Sequence, residues 1–328
     1  MPKTSKSVSN RNDDISVANE CHLYSRELVK EKLDDLESDS DELRKIYKKM
    51  IKGSPERFLV KPSKMPEIEK LRQSIPNFNE PLDDIERQLS LCLDSGDPIE
   101  LTPILLLGNP GVGKTHFAQE LASILKTKSE FVPMGALTAG WVLSGSGSGW
   151  RGSKPGRVFE SLFNGLFANP VIVLDEIDKA STNAQYDPLG PLYSLLERKT
   201  AGNFTDEFVE IPINASHVIW VTTANDFGFI SKAILDRLNV YEIEPPNFEQ
   251  ARAIALNIYK TIREEHNWGD SFDEIPKDDV LDIFAKHTPR DMNSMWLRAF
   301  GNAKIVGRNS IEVRDITYPK NKRKKIGF

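Results

Sequence analysis

Residues 103–115 read PILLLGNPGVGKT. The opening apolar run is short and closes on a turn signal, which predicts a strand buried on both faces of a parallel sheet. Behind it, Gly108, Gly113, Lys114 and Thr115 fit the spacing G-x-x-x-x-G-K-[ST], and a helical pattern follows from Thr115 to Leu125. In that strand–loop–helix context the glycines let backbone N–H groups turn inward around a phosphate, and the helix N-terminus adds positive potential. The span expected to touch a nucleotide is Gly108, Asn109, Pro110, Gly111, Val112, Gly113, Lys114, Thr115 and His116. Lys114 is expected at the β- and γ-phosphates, and Thr115 on Mg²⁺ through its hydroxyl. A regular turn that matches by chance is the bland alternative.

Outward along the chain, residues 171–178 read VIVLDEID. The apolar part predicts another buried strand, and Asp175 at its end suits a second anchor for Mg²⁺, often through water. Glu176 follows where a carboxylate could orient and polarise an attacking water; the acids could instead cap the next helix, which would account for Asp178. HVIWVTT (217–223) predicts a third strand. Asn225, just after it, offers a neutral amide for a water or a γ-phosphate oxygen, although alone it would be a turn residue. Arg237, in ISKAILDRLNV, reads either as a surface ion-pair partner or as an arginine projecting into a neighbouring subunit's site. Arg290, in HTPRDM, begins a later helix and could reach a γ-phosphate.

These strands alternate with helical patterns at Arg157 to Phe167 and Leu189 to Arg198, which makes residues 77–245 an α/β domain. Residues 246–318 carry helical patterns from Phe248 to His266, Asp278 to Ala285 and Arg290 to Ile305, which predicts a smaller helical domain. Upstream, residues 1–20 are polar and expected to be disordered. Residues 21–76 hold two amphipathic helices, with Val29, Leu33 and Leu36 on one stripe and Leu43, Ile46, Tyr47 and Met50 on the other. Those helices could pack on the main domain, or serve oligomerisation or a partner. The connection SPERFLVKPSKMP follows them, and residues 319–328 form a basic tail containing KNKRKK.

Bulk composition narrows the class. The chain has 328 residues, 39% hydrophobic and 28% charged, with a net charge of -5 that gives no global argument for nucleic-acid binding. Cys21 and Cys92 make no disulfide framework, which points to a reducing, cytoplasmic setting. No segment approaches the about 18 apolar residues of a membrane span. The five histidines show neither zinc spacing nor a Ser-His constellation.

Together these boxes resemble an AAA+ ATPase, and within that superfamily the ATPase module of the Lon proteases. GNPGVGKT is similar to the Walker A box, VIVLDEID to Walker B, TTAN to sensor 1, LDRL to the arginine-finger segment and TPRD to sensor 2. The order WRGSKPGRVFESL, DEIDK, DPLGPLYSLLE and NFTDEFVEI follows Lon more specifically, and the likeness runs from about Asn77 to Ile316. The resemblance implies a P-loop AAA+ domain with a parallel sheet, followed by a helical lid. It also implies ATP and Mg²⁺ as ligands, catalytic roles for Lys114, Asp175, Glu176, Asn225, Arg237 and Arg290, and a homo-oligomeric ring, hexameric, acting on protein substrates.

In such ATPases an aromatic on the loop after the second strand lines the pore, and Trp150 in SGSGSGWRGSKPG falls on that position. An aromatic gives large contact area without demanding a particular sequence. The Lon pattern has an aliphatic next, whereas Arg151 stands here and would also suit an acidic or phosphate-bearing substrate. Trp150 could instead fold back over the sheet. Lon's peptidase domain is expected to be missing, because only about a dozen residues follow the last lid segment, which ends near Ile316; a separate peptidase or adaptor could dock. Two other readings stay open: a nucleic-acid loader or translocase, favoured by Arg151, Lys154 and the basic tail, and a nucleotide-dependent adaptor that does not turn over.

Overall fold

The three apolar runs become the middle of one sheet. A computed structural model describes residues 7–10, 13–36, 41–93, 95–137, 140–147, 152–180 and 187–318, with side chains from residue 17 onward. In chain order the strands are β1 (Ser7–Asn10), β2 (Asp13–His22), β3 (Glu56–Val60), β4 (Ile104–Leu107), β5 (Ser129–Pro133), β6 (Val171–Asp175), β7 (Phe204–Thr205), β8 (Pro212–Ile213), β9 (Ile219–Ala224) and β10 (Asn239–Glu242). Five of them form a sheet in the order β10-β4-β9-β6-β5, with every neighbouring pair parallel. Every residue of β4 and β9 is buried, as expected for strands covered by helices on both faces. The crossovers carry helices Lys114–Ile124, Arg157–Asn164, Leu192–Leu195, Arg198–Ala201 and Lys232–Leu235. Between β6 and β9 the chain also makes the β7–β8 hairpin.

The N-terminal region differs from expectation. Strands β1 and β2 stand where an unstructured leader was expected, and with β3 they form an antiparallel sheet in the order β1-β2-β3. The connection SPERFLVKPSKMP likewise contains β3. Polar residues can hold a strand here because β3 supplies a partner more than thirty residues away, which local composition cannot reveal. Asn169, fully buried, fixes β3 by accepting from Val60 N and donating to Val60 O, both at 2.9 Å. The two predicted helices are present as Arg26–Asp34 and Asp41–Lys52. Val29, Leu43, Tyr47 and Met50 all join the large hydrophobic core, so packing on the main domain is the reading that holds for these side chains. Both cysteines are buried, and burial pushes their thiols above the usual range.

The described residues fall into two compact units. The first takes in the described residues within 1–68, 80–108 and 115–242; the second takes in those within 69–79, 109–114 and 243–318. The second is built on helices Phe248–Glu265, Asp278–Phe284 and Pro289–Ile305. Asn247 and Gln250 form a capping box at the first of these, and Thr288 with Pro289 starts the third. Its core stacks Phe284 on Trp296, ring centres 3.7 Å apart, and Trp296 Nε1 donates to Ala255 O at 3.0 Å. Among the described residues, no helix is long and apolar enough to cross a membrane.

Candidate functional site

In an open parallel sheet, ligands bind outside the carboxyl ends of the strands. Asp175 is the last residue of β6, and the β6–β9 register pairs Leu174 with Thr222, which brings the next residues, Asp175 and Thr223, side by side. Thr223 Oγ1 donates to Asp175 Oδ1 at 2.7 Å, and Thr115 Oγ1 donates to the same oxygen at 2.8 Å. Thr223 Oγ1 in turn accepts from the backbone N–H of Glu176 at 2.9 Å. Glu176 has φ 57°, a left-handed conformation that costs an L-residue about 1–2 kcal/mol and that the bond to Thr223 helps to hold. Its carboxylate forms an ion pair with Lys179. The short 3-10 turn Ile177–Lys179 behind it has no side-chain cap, so helix capping does not account for this acid.

Asn225 directly follows β9 and is half-buried. Beside it, Gly108 N donates to Ala224 O at 3.2 Å, which aligns the end of β4 with the end of β9. Arg237 lies beyond helix Lys232–Leu235 and is held within its own chain: one guanidinium nitrogen stands 3.5 Å from Glu197 Oε2, and another donates to Ala233 O. The side chain is 30% exposed, so it does not project freely.

Within the second unit, Asn109–Lys114 wrap tightly. Gly111 and Gly113 have φ of 90° and 107°, where a side chain would be strained. Gly113 packs on the Phe78 ring, and Asn77 Nδ2 donates to Val112 O at 3.3 Å and Glu244 O at 3.2 Å. Lys114 is 7% exposed and donates to Asn109 O at 3.0 Å. A Cβ on Gly111 would lie 3.6 Å from Thr288 Cβ, so the start of helix Pro289–Ile305 borders the loop. Arg290, exposed in the first turn of that helix, is thereby brought near the loop within the same unit. Asn109, Pro110 and His116 are exposed, His116 lying 4.0 Å from Glu120. Trp150 and Arg151 lie outside the described residues.

The oxygen set suits magnesium. Mg²⁺ prefers oxygen ligands and takes one or two protein groups beside phosphates and waters. Thr115 and Asp175 supply a hydroxyl and a carboxylate held within one hydrogen bond of each other.

Residues 104–245 match the family described as "ATPase family associated with various cellular activities (AAA)". That stretch is an AAA ATPase domain. The Lon protease of Mycoplasma mobile is 30% identical over 232 residues, which cover 68% of this chain and 27% of that protein. "Lon protease homolog 2, peroxisomal" of Oryza sativa subsp. indica is 32% identical over 188 residues, covering 57% of this chain and 21% of that one. The chain therefore spans about a quarter or less of the length of these relatives, and the module is Lon-like over its AAA region. The S. cerevisiae Hsp104:casein complex in its extended conformation aligns at TM-score 0.59 and 16% identity over 74% of this chain and 48% of that chain, a likeness of fold.

Sequence reasoning passed over Thr223 in the first unit, and Phe78 and Asn77, which support the glycine loop, in the second. Thr223 sits inside the quoted TTAN, where only strand register separates it from Thr222. Phe78 and Asn77 come from a segment over thirty residues before the loop that they support, and nothing local marks them.

Proposed function

We propose that the chain hydrolyses ATP and uses the energy to remodel or unfold protein substrates, as one subunit of a homo-oligomeric, hexameric ring. The observation that carries this reading is the single carboxylate oxygen of Asp175, shared by the hydroxyls of Thr115 and Thr223, with Glu176 tied to the same threonine. In the reading, Lys114 neutralises phosphate charge, and Thr115 and Asp175 hold magnesium. When bound, that ion would supply charge neutralisation at the phosphates. Glu176 accepts a proton from the attacking water, and Asn225 positions that water. Arg237 leaves Glu197 and stabilises the transferring phosphoryl group in the neighbouring subunit, while Arg290 couples the C-terminal helices to nucleotide state. Trp150 and Arg151 grip the substrate in the pore.

Protein as the substrate class is supported by the Lon proteases among the relatives and by the casein bound to the fold's Hsp104 neighbour. The stretch shared with the relatives is their AAA portion, so the reading carries hydrolysis of ATP and not of peptide bonds. Steady-state ATP hydrolysis, alone, with casein and with single-stranded DNA, tests it. Stimulation by casein that Trp150→Ala removes, with all turnover lost in Glu176→Gln, supports the reading. Stimulation by DNA alone, weakening steeply with salt, would overturn the substrate class.

A further inference from the structure

Asp206 is fully buried in the β7–β8 hairpin and has no part in the nucleotide chemistry proposed above. Its Oδ2 accepts from Gly156 N at 2.8 Å, and its Oδ1 accepts from Phe208 N and Val209 N, both at 3.0 Å. A Cβ on Gly145 would stand 2.4 Å from the same Oδ1, and Gly145 has φ 82°, so only glycine admits the carboxylate there. One side chain therefore meets both ends of the segment that carries Trp150 in sequence. Neighbouring bonds reinforce the clasp: Glu207 N donates to Ser144 O at 2.6 Å, Ser144 Oγ donates to Glu207 Oε1 at 3.1 Å, and Ser146 N donates to Lys154 O at 3.2 Å.

A buried carboxylate is costly unless its oxygens are satisfied. Here the partners are backbone amides, and the charged side chain beside it is another acid, Glu207. Burial raises the Asp206 carboxyl to about 6, which still leaves it ionised at neutral pH and able to accept all three bonds. The hairpin itself is braced from the N-terminal region, where the buried Tyr47 hydroxyl donates to Val209 O at 2.7 Å. The path runs from Tyr47 through Val209 and Asp206 to Gly156, each link a hydrogen bond.

We propose that Asp206 is a positioning residue that fixes the two ends of the Gly145–Gly156 segment, so that force developed by the ATPase reaches a substrate held by that segment. The proposal rests on the pore reading of Trp150, since a gripping loop transmits a pull only if its base is fixed.

The test compares Asp206→Asn, Tyr47→Phe and Trp150→Ala in the full chain, by casein-stimulated ATP hydrolysis and by amide hydrogen exchange. Asp206→Asn turns an accepting oxygen toward Gly156 into a donor or removes an acceptor from the Phe208–Val209 turn, with little change of volume. It is expected to raise the casein concentration for half-stimulation about tenfold, the effect of one charge-assisted hydrogen bond, while basal kcat and KM for ATP stay at wild-type values. Tyr47→Phe, which removes only a hydroxyl, is expected to shift half-stimulation about threefold in the same direction and keeps the test alive if Asp206→Asn does not fold. Wild-type half-stimulation in both, when Trp150→Ala has lost its stimulation, overturns the proposal; so does a basal kcat that falls in step. If Trp150→Ala keeps full stimulation, the pore reading fails and exchange alone judges the clasp. Faster exchange at residues 145–147 and 152–156 in Asp206→Asn then upholds it, and wild-type rates overturn it.

Discussion

Thr222 and Thr223 are neighbours in β9 with opposite duties. Thr222 Oγ1 donates to Ile104 O of β4 at 2.8 Å inside the sheet, whereas Thr223 serves Asp175 and Glu176 at its rim. Replacing each by valine separates the two. Thr223→Val is expected to lower kcat about 10–100-fold and to raise the Mg²⁺ concentration for half-maximal rate, because it frees a ligand-orienting bond; steady-state hydrolysis against Mg²⁺ checks this. Thr222→Val is expected to leave kcat near wild type and to lower stability by about 1 kcal/mol, read by denaturant unfolding. The glycine loop, Asp175 and Glu176 were legible in the sequence because their spacing follows buried strands. Thr223 was not, since a β-branched residue in a buried strand reads as filler until a neighbouring strand gives its hydroxyl a partner.

Among the elements, the inner strands β4, β6 and β9 could be read from unbroken apolar runs, whereas β5 and β10 could not be delimited. Those two are the edges of the sheet, and only one residue of each is buried, so their sequences SEFVP and NVYE look like loop. The helices of the C-terminal region were readable from period alone, but the ion pair that closes it was not. There Arg308 Nη1 donates to Asp315 Oδ2 at 2.7 Å, and the guanidinium holds the Asp315 carboxyl below its usual range. Since the folded value is the lower one, Asp315 contributes stability that is full above its unfolded pKa of about 4 and is lost as pH falls through the folded value. Asp315→Asn should therefore lower the stability of the second unit at pH 7. The difference from wild type should shrink toward acid pH in thermal melts across a pH series.

On the scale of the whole molecule, the ring proposed above would make turnover depend on neighbours. The rate per chain is expected to rise with protein concentration as subunits assemble, with sedimentation following the same curve. Arg237→Ala should lower the assembled rate by about 10³-fold, and mixing it with Glu176→Gln should restore turnover at those interfaces that pair an intact Arg237 with an intact Glu176. No recovery in the mixture would place Arg237 in its own subunit's chemistry. The two thiols bear on how such motions could be watched. Cys21 and Cys92 are both buried and both pushed toward the neutral form, so neither presents the exposed thiolate that maleimide dyes attack. A single cysteine introduced at an exposed position would therefore take the dye ahead of both, and fluorescence from one chosen spot could be followed through each round of turnover without first stripping the chain of its own sulfur.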